Sequence, residues 1–139
     1  MQFLLDTCTV SELIKPRPDL GLVTWMEAQP DEALRLSAVT IAELVRGVRR
    51  LPNGQRRLQL EQWLNENILS VFADRILPFD QFVATTWAEV VVVSEQAGCS
   101  LSAFDSMIAA TAQHHSMTLV TRNASDMPAS VLVLNPWRS

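Results

Sequence analysis

Apolar residues fall along the chain in two rhythms. Short runs that stay hydrophobic occur at 3–5, 34–36, 118–120 and 131–134, with a weaker run at 75–77. Runs of that length without alternation are what strands buried on both faces look like. Between them the spacing becomes helical: 9–14, 19–28, a stretch opened by Thr40, then 55–69, 80–98 and 103–115. Leu20, Val23 and Met26 share one side of the second stretch; Ile41, Leu44, Val45 and Val48 mark the third; Leu58, Leu60, Trp63 and Leu64 mark the fourth. Pro16 and Pro18 end the first, Pro30 follows the second, Pro52-Asn53-Gly54 breaks the chain, and Gly98 supplies a carboxyl-terminal cap. Strands alternating with helices predict an α/β fold with a mostly parallel sheet covered on both faces. No repeat, low-complexity tract or linker interrupts 1–139, which reads as one domain.

The stretch 80–98 carries more apolar residues than one buried face needs. A surface helix shows a stripe of about 100°, whereas Val90, Val91, Val92 and Val93 run round all sides. Part of this helix is expected to meet a second copy of the chain, giving a homodimer.

Ligands of open α/β sheets bind beyond the carboxyl ends of the strands, so acids placed there are candidates for chemistry. Asp6 follows the first strand directly, Asp126 lies in the loop after the 118–120 run, and Glu43 and Asp105 fall in the first turns of their helices. Carboxylates gathered at one edge suit a hard cation such as Mg²⁺, which takes one or two of them plus water and substrate phosphate. Such ions can activate water and stabilise the leaving oxygen in phosphodiester hydrolysis. Local explanations compete. Thr40-Ile41-Ala42-Glu43, Ser102-Ala103-Phe104-Asp105 and Thr9-Val10-Ser11-Glu12 all fit the capping-box template. Asp6 has no such local task, and Asp126 reads equally as an ordinary loop residue.

Net charge is −4, an awkward balance for a nucleic-acid binder. The cations are nevertheless concentrated: Arg46, Arg49, Arg50, Arg56 and Arg57 put five of eleven within one short stretch. The first three share a helix face, and arginine forks onto phosphate. A solvated helix face is the competing reading. His114 and His115 are adjacent, point about 100° apart on a helix and read as a solvated helix end. The phosphate-cradling and dinucleotide glycine motifs are absent. The four tryptophans default to core or interface, although an exposed ring could stack a base. Cys8 and Cys99 make no metal spacing and read as reduced thiols. The chain shows no secretory start and no apolar run of membrane length, so a cytoplasmic protein away from membranes is expected.

Four ordered segments carry a family likeness: Phe-Leu-Leu-Asp-Thr-Cys-Thr-Val-Ser-Glu-Leu (3–13), Ser-Ala-Val-Thr-Ile-Ala-Glu-Leu-Val-Arg-Gly-Val (37–48), Phe-Asp-Ser-Met-Ile-Ala-Ala-Thr-Ala (104–112) and Leu-Val-Thr-Arg-Asn-Ala-Ser-Asp (119–126). Together they resemble the motifs of PIN-domain nucleases, and more narrowly the VapC and FitB-like toxins of toxin–antitoxin pairs. The likeness implies a three-layer α/β/α domain and an endoribonuclease dependent on Mg²⁺ or Mn²⁺. It implies Asp6, Glu43, Asp105 and Asp126 as catalytic acids, Asp6 and Asp105 as metal ligands, and Thr121 and Asn123 as supporting polar groups. It also implies an antitoxin partner that joins the toxin at promoter DNA, with Arg46, Arg49 and Arg50 free to meet RNA or that partner. The sequence departs from the family pattern at Cys8, Ser102 and Met127, where Asn or Ser, Pro, and Phe are common; no carboxylate is lost. The alternative is a non-catalytic module that holds a partner protein or nucleic acid in its acidic pocket. A phosphorelay receiver would want a late lysine, and the only lysine is Lys15.

Overall fold

The computed structural model describes residues 1–99 and 101–138. Five strands form one sheet in the order β3-β2-β1-β4-β5: β1 Phe3–Leu5, β2 Leu34–Ser37, β3 Ile76–Leu77, β4 Thr118–Val120 and β5 Val133–Leu134. Every pairing is parallel, with Leu4 opposite Arg35 on one side and Leu119 on the other. All carboxyl ends therefore lie along one edge. The helices are α1 Thr7–Leu13, α2 Leu20–Glu27, α3 Ala38–Arg49, α4 Gln55–Trp63, α5 Gln81–Gln96 and α6 Ala103–His114.

Alternation along β1 builds two cores from three residues. Phe3 and Leu5 join Leu34 and Leu36 against Val10, Leu44, Val48 and Ile68 on the α1–α4 face. Leu4 and Leu119 face the other way, against Ile108, Ala109 and Ala112 of α6. On its far side α6 turns Ala110 toward Val83 and Val90 of α5. Small residues let α6 pack on both sides at once. The result is the expected three-layer α/β/α arrangement.

Several local expectations shift. The strand read at 131–134 is shorter, because the Val131 N–H bonds the Pro128 carbonyl at 3.1 Å in a turn before β5. In α2 the buried position is Leu22, not Leu20, which is 64% exposed. Leu58 is exposed too, since α4 buries nothing of its own. The chain then widens into a π-helical turn, Leu64–Leu69, where the Ser70 N–H reaches the Asn65 carbonyl at 3.1 Å. That extra residue rotates Leu64 and Ile68 into the core. Gly98, at φ +74°, follows the last turn of α5 as expected.

Two helical glycines make a paired test. A Cβ on Gly21 would sit 2.6 Å from the Pro136 carbonyl oxygen and 2.7 Å from the Arg138 nitrogen, whereas one on Gly47 would meet nothing within 4 Å. Gly21→Ala is expected to destabilise by about 1–3 kcal/mol through overpacking. Gly47→Ala is expected to stabilise by about 0.5–1 kcal/mol through helix propensity. Urea midpoints of the two variants check both signs.

Candidate active site

The sheet order reverses at β1, which lies between β2 and β4, and the acids gather just past its end. Asp6 is the N-cap of α1. Its Oδ1 accepts the Thr9 N–H at 2.8 Å, so this acid has a local task that the sequence reading missed by starting the helix at Thr9. The Asp6 N–H continues the ladder onto the Val120 carbonyl at 3.1 Å, and the residue is only 6% exposed. The Thr9 hydroxyl lies 2.7 Å from Asp6 Oδ1 and 2.9 Å from the Val120 carbonyl oxygen. Its single proton can serve only one of these acceptors. Burial pushes the Asp6 carboxyl above its ordinary 3.8; hydrogen bonding to Thr121 and Thr9 pulls it back, and the charge of Asp105 adds to the net rise.

Glu43 sits in the second turn of α3, not the first. The cap of α3 is Ser37, whose Oγ accepts the Val39 N–H at 3.0 Å, while Thr40 is fully buried inside the helix. The capping reading of Glu43 therefore fails, and its carboxylate is left for other work. Thr7 holds it: the Thr7 hydroxyl donates to Glu43 Oε1 at 2.6 Å and lies 3.2 Å from the Thr40 hydroxyl. Asp105 occupies the first turn of α6, as expected, behind the Ser102 cap, whose Oγ accepts the Asp105 N–H at 3.1 Å. A helix amino terminus favours the carboxylate there.

Cys8 reports that these three acids share one space. Partial burial comes first in raising its thiol, followed by the charges of Asp6, Asp105 and Glu43, with Lys15 acting against them. A thiol so raised stays protonated, which removes it as a nucleophile. Both cysteines are free. Thr121 is fully buried against Asp6, and its Oγ1 accepts the Asn123 N–H at 3.1 Å. Asn123 itself is exposed, and so is Asp126, in the 3₁₀ turn Ala124–Asp126, where its N–H bonds the Asn123 carbonyl at 3.0 Å. No hydrogen bond among the described residues joins the Asp126 carboxylate to the other three acids. Arg46 and Arg49 project from the last turn of α3 and Arg50 caps it, all exposed and without ion pairs among the described residues.

Among the described residues no three His, Cys, Asp or Glu side chains converge into a ready-made metal cage. The donor set still fits a hard divalent ion. All donors are carboxylate oxygens, Mg²⁺ needs only one or two from the protein, and no arginine or lysine forms an ion pair with Asp6, Glu43 or Asp105 among the described residues. The rise at Asp6 comes first from burial, with the charge of Asp105 adding least, and a bound ion would oppose both.

The histidine reading changes, while the default reading of the tryptophans holds. His114 is exposed with Nδ1 3.3 Å from the Thr86 hydroxyl, but His115 is half-buried, so the pair is not simply solvated. None of the four tryptophans is exposed, and Trp87 Nε1 donates to Ser106 Oγ at 2.8 Å.

The PIN domain family model matches residues 3–126. The chain belongs to the PIN-domain family. Among relatives, this PIN-domain chain is 43% identical over 135 residues to Toxin FitB of Neisseria gonorrhoeae, across 96% of this chain and 97% of that one. It is 38% identical to VapC ribonuclease Y4jK of Sinorhizobium fredii, across 96% of each. FitAB bound to an IR36 DNA fragment contains a chain that superposes with a TM-score of 0.93 at 40% identity, covering 99% of this chain and 97% of that one. No described helix is long and apolar enough to cross a membrane.

Proposed function

We propose that this PIN-domain protein is the toxin of a toxin–antitoxin pair and acts in the cytoplasm as an endoribonuclease dependent on Mg²⁺ or Mn²⁺. The observation that carries the reading is the placement of Asp6, Glu43 and Asp105 within electrostatic reach of Cys8 beyond the end of β1, with no cation paired to them among the described residues. The similarity to a FitB toxin and a VapC ribonuclease along nearly the whole chain supports it.

Asp6 and Asp105 hold the ion, and Glu43 and Asp126 complete the acidic ring directly or through water. A divalent ion bound there supplies the activation of water and the neutralisation of charge on the leaving oxygen. Thr9 fixes the Asp6 carboxylate, which Thr121 also stabilises in its charged form, and Thr7 fixes Glu43. Asn123 supports the Thr121 hydroxyl through its own backbone. An antitoxin protein blocks this site and joins the toxin at promoter DNA, in line with the DNA-bound FitAB assembly. The toxin itself pairs as a homodimer through α5.

The test is cleavage of RNA by the purified chain, lost on chelation and restored by Mg²⁺ or Mn²⁺. Binding without cleavage under those conditions would favour the non-catalytic module. The arginine face has its own expected result. Changing Arg46, Arg49 and Arg50 together to Ala should weaken RNA binding and lower the slope of log affinity against log salt by about 2, at roughly 0.7 per lost phosphate contact. Circular dichroism should stay unchanged, because exposed charges stabilise little. An unaltered slope would mean the face is only solvated.

A further inference from the structure

A cavity of about 290 Å³ opens beside the acids and has no part in the site as described so far. Cys8, Ser11, Glu12 and Lys15 line it from α1 and the turn after it, Arg122 and Asn123 from the loop after β4, and Trp137 from the carboxyl-terminal segment. Its volume stands at the small end of the range for ligand pockets, about 300–1,000 Å³. Both walls are tied to the acidic site. Cys8 is two residues beyond Asp6, and Arg122 and Asn123 follow directly on Thr121, which is bonded to Asp6.

The charges in this cavity do not cancel. Lys15 Nζ lies 2.8 Å from Glu12 Oε1, and Glu12 Oε2 also accepts the Asp19 N–H at 3.1 Å, so those two charges satisfy each other. Arg122 makes no ion pair among the described residues, although acids lie close by in the neighbouring site. Its backbone carbonyl is held by Asn135 Nδ2 at 3.3 Å, which fixes where the side chain starts. Trp137, 8% exposed, is too buried to stack a base in full but closes the cavity with an apolar wall.

Glu12 feels the charge of Arg122 but is bonded to Lys15, so the cavity keeps one cation with no direct ion pair among the described residues, which matches a strand that carries one phosphate per nucleotide. The acids, with an ion, take one phosphate; the guanidinium takes its neighbour. We infer that this cavity is the subsite for the nucleotide flanking the scissile phosphate, with Arg122 on its phosphate and Trp137 beside its ribose. The identity of the ligand as single-stranded RNA rests on the ribonuclease reading above.

The experiment titrates an RNA tetranucleotide into the full ¹⁵N-labelled chain in EDTA, where no metal supports cleavage. The Trp137 indole resonance, identified by its loss in Trp137→Phe, is expected to shift while that of Trp63 stays still. Arg122→Gln is expected to weaken binding about tenfold and lower the salt slope by about 0.7, with the Trp25, Trp63 and Trp87 resonances in place to show an intact fold. With metal present, its loss should fall on KM rather than kcat. An unmoved Trp137 resonance, or wild-type affinity in Arg122→Gln, overturns the subsite. A shift with an acidic peptide and none with RNA also overturns it, assigning the cavity to a protein partner. Binding shifts without any metal-dependent cleavage would instead sink the nuclease reading and, with no phosphate to cut, overturn the flanking-nucleotide assignment, leaving only an RNA-binding cavity.

Discussion

Asp6→Asn is expected to cut RNA at less than about one-hundredth of the wild-type rate and yet to melt at an equal or higher temperature. Even the loss of an outer partner of a metal ligand costs 10–100-fold, so the loss of the ligand itself should cost at least that. The stability half follows from burial. An Asn keeps Oδ1 to accept the Thr9 N–H, so the α1 cap survives, and it removes a charge that desolvation and Asp105 both oppose. A carboxyl raised in the folded state contributes stability that is complete below its unfolded pKa, near 3.8, and lost as pH rises through the raised folded value. The advantage of Asp6→Asn in metal-free buffer should therefore appear over that window and persist to neutral pH. Added Mg²⁺ should reverse the order, because an ion that binds only the folded wild type stabilises it by mass action. Asp105→Asn should lose activity equally. Calorimetry at pH 3 and pH 7, with and without metal, beside a cleavage assay, checks all of this. A fully active Asp6→Asn would end the metal-site reading.

The isolated protein should run at twice its 15.5 kDa in light scattering at micromolar concentration. The run of valines on α5 does split as its spacing requires. Val90 is buried at 1% exposure on α6, while Val92 and Val93 remain about half exposed, with Phe82 exposed on the same helix. Apolar residues grouped on one outer helix are an interface more often than a tolerated surface, and a two-fold axis lets one patch serve both copies. Replacing Val92 and Val93 by Glu would bury unpaired carboxylates there, at several kcal/mol. Dimer affinity should fall at least about a hundredfold, with the monomer fold retained because neither side chain reaches the core. A wild-type mass near 15.5 kDa would reject the dimer.

The strands and the order of helices were legible because runs such as 3–5 and 118–120 are buried on both faces, which leaves no polar interruption to confuse the pattern. Helix starts were less so. The Ser/Thr-x-x-acid template occurs at Thr9 and Thr40, but the helices begin earlier, at Asp6 and Ser37, where the preceding strands happen to end. A local motif carries no record of that length. The phase error at Leu20 and Leu58 has the same origin, since both sit on short helices whose rotation is set by the layer beneath. The π turn at Leu64–Leu69 has no local signature at all. Asp6, Asp105 and Glu43 could be picked out as candidates from strand ends and motifs, whereas Thr7 and the second role of Thr9 could not. Thr7 meets Glu43 across 36 positions, and Thr9 meets Val120 across 111. No spacing rule reaches that far.

The central place of β1 bears on when, during synthesis, the acidic site can assemble. The first strand synthesised is flanked on one side by one of the last, with Leu5 opposite Val120. Until that late strand leaves the ribosome, Asp6 has neither the Val120 carbonyl to anchor its backbone nor Thr121 beside its carboxyl. Asp105 has no helix docked on the sheet to carry it into place. Contacts this distant in sequence form only after the intervening chain is available. The acids around Asp6 are therefore expected to assemble only after residues 118–121 have been made. A fragment that stops before Thr118 is expected to lack the assembled site.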